Sequence, residues 1–89
     1  MPETAPRQPI HVELSRDEAL VLFELLARFE ETSVLKLMRN AEFIAISALA
    51  GQLQSILEEP FDRDYKDIVA LSAARLEVGY EGLAPGVEP

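Results

Sequence analysis

From Phe43 through Leu57 the chain carries no charged residue. Pro60 follows closely, and a residue before proline is pushed out of the α region, so a helix through this stretch must stop by Glu59. Placed at about 100° per residue, Phe43, Ile46, Leu49, Ala50, Leu53, Ile56 and Leu57 share an arc of roughly 140°, a core stripe. The other side holds Ala41, Ile44, Ser47, Ala48, Gly51, Gln52 and Ser55. A helix face in water normally carries Lys and Glu. This one carries none, so it is expected to be covered, either by its own domain or by a second subunit. Ser47, Gly51 and Ser55 recur every four residues, a spacing that lets two helix backbones approach closely. This second helix is expected from Ala41 to about Glu58, with Asn40 as its N-cap.

The first helix announces itself more clearly. Ser15 is a favoured N-cap, and Glu18 lies three residues on, which makes a capping box. Asp17 and Glu18 also suit the positive end of the helix dipole. The helix should run from Arg16 to Glu31. Most of its charge, on Asp17, Glu24, Arg28 and Glu31, falls in a strip roughly 60° wide. Much of the rest is apolar, from Ala19 and Leu20 through Val21, Leu25 and Leu26 to Phe29. A surface helix has a narrower apolar stripe. Helix 1 is therefore expected at the centre of the fold or at an interface.

Ahead of it, Ile10-His11-Val12-Glu13-Leu14 alternates apolar and polar, the pattern of a short half-buried strand. Such a strand needs a partner, which is either Val34–Met38 or the same strand of a second subunit. Val34–Met38 itself reads as a second strand or as an early turn of helix 2. A third helix is expected from Arg63 to Val78, capped by Asp62 or Asp64, with Gly79 at C′. Tyr65, Ile68, Val69, Ser72 and Leu76 line one side of it. The expected fold is mainly α: a short N-terminal β-strand followed by three helices. Residues 1–9, with Pro2, Pro6 and Pro9, read as a disordered arm, residues 10–79 as one small helical domain, and residues 80–89 as a flexible tail.

Two segments carry a resemblance. The run Ile10-His11-Val12-Glu13-Leu14-Ser15-Arg16-Asp17-Glu18-Ala19-Leu20-Val21-Leu22-Phe23-Glu24 resembles the start of a set of short bacterial helical proteins, in which a strand leads into LSxDEALVLFE. Leu57-Glu58-Glu59-Pro60-Phe61, followed by Tyr65, is similar to their VEPF…Y segment. Together these cover most of residues 10–76, and Thr32 to Ala48 departs most from the pattern. The resemblance implies a compact, mostly helical cytoplasmic protein and carries no activity with it.

Composition narrows the function. In 89 residues there are 16 Asp and Glu against 8 Lys and Arg, a net charge of −8. That repels phosphate backbones and anionic membranes, so neither nucleic acid nor membrane is an expected partner. No Cys and a single His exclude a thiol nucleophile, a Cys-based zinc site and a multi-histidine metal site. Residues 1–9 show no apolar signal region, and a cytoplasmic location is expected. His11 reads as an ordinary surface histidine. Glu58, Glu59, Asp62, Asp64 and Asp67 cluster near the start of helix 3, where acids cap and complement the dipole. The same cluster is the one place where a divalent cation or carboxylate chemistry would sit. No catalytic, cofactor-binding or metal residue is assigned. The expected function is a non-enzymatic protein that acts through protein–protein contact as a homodimer. Its candidate interface is Ile44, Ser47, Ala48, Gly51 and Ser55, with Val21 and Leu25 of helix 1. One alternative is an acidic inhibitor or antidote of a basic partner such as a toxin or nuclease. The other is a metal-dependent enzyme using the carboxylates of residues 58–67.

Overall fold

A computed structural model of the chain describes residues 7–88. Among these residues it holds three α-helices, α1 (Arg16–Thr32), α2 (Asn40–Ile56) and α3 (Tyr65–Glu77), with a short 3-10 turn at Glu59–Phe61 before α3. The fold is mainly α, as the patterning predicts. The arm expected over residues 1–9 lies mostly outside the described residues.

α1 begins at the predicted capping box. The Ser15 hydroxyl accepts the Glu18 N–H at 3.1 Å, and the Glu18 carboxylate accepts the Ser15 N–H at 2.8 Å. It ends at Ser33, which takes a left-handed conformation (φ 58°) and donates its N–H to the Phe29 carbonyl. Its wide apolar face is explained by its position. α1 packs on α3 along one side and on α2 along another. Ala19, Leu20 and Leu26 of α1 form the core with Ala50, Leu53 and Leu57, and Leu22, Phe23, Ile46, Tyr65 and Ile68 pack against it.

Two expectations about strands fail. Residues 10–14 carry no regular secondary structure, and Val34–Met38 is an irregular connector, neither strand nor helical turn. A strand exists only as part of a sheet, and no other described segment is a strand that could offer an edge. The connector is shaped by local bonds instead: the Val34 N–H donates to the Thr32 hydroxyl and the Met38 N–H to the Glu42 carboxylate. Asn40 is likewise not the cap of α2. Arg39 stands in the cap position without a side-chain bond, and Asn40 is already helical. Glu42 reaches back to Met38 and serves that end of the helix.

α2 stops at Ile56, earlier than the proline requires, because Leu57 turns to an extended conformation (ψ 136°) and its side chain is buried in the core. α3 begins at Tyr65, two residues later than expected, and ends at Glu77, one residue before the expected Val78, which is its C-cap; Gly79 follows at the expected C′ position with φ 85°. Beyond it, Tyr80 donates to the Glu77 carbonyl.

Candidate interaction surface

The core stripe of α2 has the predicted direction but not the predicted width. Ala50 and Leu53 are buried and Ile46 half-buried, while Phe43, Leu49 and Ile56 at the margins stay exposed. The cause is the number of neighbours. α2 packs chiefly against α1, and one helix covers only a narrow stripe. The rest of α2 therefore faces outward without a single charged residue between Phe43 and Ile56.

Of the predicted interface residues, Ile44, Ala48, Gly51 and Ser55 fall within about 60° of one another on that outer face. All are exposed, Ile44 by 65%. Ser47 is half-buried at the edge of the face. Val21 and Leu25 belong elsewhere. Val21 is half-buried on α1, and Leu25 lines a hollow with Phe29, Val34 and Leu35 beside the α1–α2 connector. Gly51 is the informative member. A methyl group built on it would meet nothing within 4 Å, so the fold of the single chain does not require a glycine there.

Charge is concentrated at the start of α1, where two forked ion pairs form. The Arg16 guanidinium binds Glu59 of the 3-10 turn, Nε to Oε2 at 2.6 Å and Nη2 to Oε1 at 3.0 Å. The Arg75 guanidinium binds Asp17, and the buried Ser72 hydroxyl donates to the same carboxylate at 2.9 Å. Hydrogen bonds from Arg75 and then Ser72 hold the Asp17 carboxyl below the usual carboxylate range. The hydrogen bond from Arg16 does the same for Glu59. Neither pair was visible in the sequence, because each joins residues far apart in the chain.

These contacts bear on the acidic cluster. Glu59 is bound to Arg16, and the Asp62 carboxylate accepts the N–H of Asp64 at 3.0 Å. Asp64 caps α3 by position but makes no side-chain cap bond. Among the described residues no three His, Asp or Glu side chains gather where a metal ion could be held. His11 is exposed on the segment before α1. Among the described residues one buried side-chain polar atom lacks a partner, the Tyr65 hydroxyl. Burial pushes its pKa up, and the Glu24 carboxylate, near but outside hydrogen-bond geometry, adds to the shift. No described helix is long and apolar enough to cross a membrane. The chain matches no protein family, no curated protein and no solved structure.

Proposed function

We propose that this chain is a non-enzymatic interaction protein that works as a homodimer joined through the outer face of α2. The observation behind this is Gly51. A glycine inside a helix costs about 1 kcal/mol relative to alanine, and nothing within 4 Å in the single chain compensates for it. A second backbone packed against α2 does compensate. Under a two-fold axis the same patch meets itself, and two α2 helices crossing near Gly51 would bury Ile44, Ala48 and Ser55 together. Charge favours the same arrangement. Two copies of net charge −8 repel one another wherever acids meet, and this face carries none.

Light scattering behind a sizing column tests the reading, together with the variant Gly51→Glu. A dimer at micromolar concentration is expected for the native chain, and a monomer of unchanged helix content for the variant. A native chain that stays monomeric overturns it.

The alternative of an acidic inhibitor of a basic partner draws its support from the net charge of −8. Salt separates the two readings. Capture of a basic protein by exposed acids weakens as ionic strength rises, while an uncharged apolar interface does not.

A further inference from the structure

Among the described residues, the segment before α1 has no backbone partner. Ile10 is 89% exposed and Val12 76% exposed. No backbone hydrogen bond joins residues 10–14 to other described residues. Yet the segment alternates Ile10, Val12 and Leu14 with His11 and Glu13, which is the pattern of a strand. Beneath it lies a hollow of about 250 Å³, lined by Val12 and Leu14, by Ala19 of α1, and by Leu53, Ile56 and Leu57 of α2.

We infer that Ile10–Leu14 pairs antiparallel with the same segment of a second copy, and that the resulting two-stranded ribbon closes over this hollow. The inference rests on the dimer reading above and adds a second element to its interface. The sequence is self-complementary in one register. Pairing about Val12 sets Ile10 opposite Leu14 of the second copy, and Val12 opposite Val12. The same register sets His11 opposite Glu13, a hydrogen-bond donor against a carboxylate. A ladder whose bonded positions are Ile10, Val12 and Leu14 asks nothing of Pro9, which has no N–H to give. An isolated ribbon of two strands is marginal in water. Here its apolar face has a floor, and Ile56, which lines that floor, is itself an exposed residue of α2.

The chain has no Cys, so single-cysteine variants report the register without interference. Only position 12 faces itself, within the roughly 4.4–6.8 Å between Cα atoms that a disulfide spans. Val12→Cys should therefore cross-link between copies faster than Ile10→Cys. Val12→Pro removes a ladder donor from an exposed segment outside the helices. It should raise the dimer dissociation constant by about tenfold or more, with unchanged helix content by circular dichroism. Amide exchange at residues 10–14 should slow as concentration rises through the dimer transition. A dimer that Gly51→Glu splits, but that Val12→Pro leaves at native affinity with unprotected amides, overturns the ribbon and keeps the α2 contact. A chain that is monomeric throughout overturns both.

Discussion

Arg75 of α3 holds Asp17 of α1 by two hydrogen bonds, Nη2 to Oδ1 at 2.8 Å and Nε to Oδ2 at 2.9 Å. The planar guanidinium fits a carboxylate in this forked geometry, which fixes direction as well as distance. The fully buried Ser72 hydroxyl adds a third bond to the same carboxylate. One residue earlier on α1, Arg16 makes the matching fork with Glu59. The first turn of α1 is thus a junction: Ser15 and Glu18 close its end, Arg16 ties it to the 3-10 turn, and Asp17 ties it to α3. No side-chain hydrogen bond among the described residues ties α2 to either partner. It is held to α1 by apolar packing, and the outer face is left over.

The two ion pairs set the response to acid. Arg75 and Ser72 lower the pKa of Asp17, and Arg16 lowers that of Glu59. As pH falls, the unfolded chain therefore takes up protons before the folded one does. Stability from these pairs is complete above the unfolded values, about 3.9 for Asp and 4.3 for Glu, and is lost as pH falls through the lower folded values. Urea unfolding followed by circular dichroism should show stability falling below about pH 4. The double variant Asp17→Asn, Glu59→Gln should be less stable at neutral pH and flatter in acid. An identical acid slope in that variant would sink the assignment.

What was legible in the sequence was local. The capping box of Ser15 and Glu18 lies within one turn, and both of its bonds are present. Gly79 reads as a helix stop because left-handed backbone suits glycine, and it adopts φ 85°. What was not legible depends on distant residues. Asp17 read as a dipole-complementing acid, but its strongest partner, Arg75, lies near the far end of the sequence. The alternation in Ile10–Leu14 is real, but alternation is only half of a strand, because the other half is an edge to pair with. In α2, periodicity gave the direction of the buried stripe, centred on Ala50 and Leu53. It could not give the width, since Phe43 and Ile56 would be buried only by further neighbours. Spacing grouped Ile44, Ala48, Gly51 and Ser55 on one face. The open space around Gly51 needed the structure.

The core should be fragile, because it is small. Leu20 is 2% exposed and belongs to the central cluster. Leu20→Ala removes buried methyl groups and leaves a cavity, at about 2–5 kcal/mol. A domain this size has little more than that to lose. Its melting temperature should fall by about 10 °C or more, or cooperative unfolding should vanish. Ile44→Ala, on the exposed face, should shift the stability of the dilute single chain by less than about 0.5 kcal/mol. Comparable losses in both variants would contradict the burial described above.

Tyr65 offers a test with the opposite sign. Its ring packs against the core, while its hydroxyl is buried without a hydrogen-bond partner. A buried polar group left unpaired costs about 1–3 kcal/mol. Tyr65→Phe keeps the ring and removes that group, so thermal stability should hold or rise by about 1 kcal/mol. A clear loss of stability would mean that the hydroxyl is bonded in solution, with Glu24 as the carboxylate to examine first.

Gly51→Ala separates the two uses of one position. In the single chain, the added methyl group meets nothing within 4 Å. It also removes the penalty of a glycine inside a helix, so the dilute chain should gain about 0.5–1 kcal/mol. In the dimer the same methyl group stands where two α2 backbones approach, so the interface must open or shift. Dimer affinity should therefore fall while monomer stability rises. Melting at concentrations below the dimer transition reads the first effect, and sedimentation equilibrium reads the second. A structural role for Gly51 inside the domain predicts a less stable monomer. A bystander role predicts a more stable monomer with unchanged affinity. Only a glycine kept for contact between copies moves the two measurements in opposite directions.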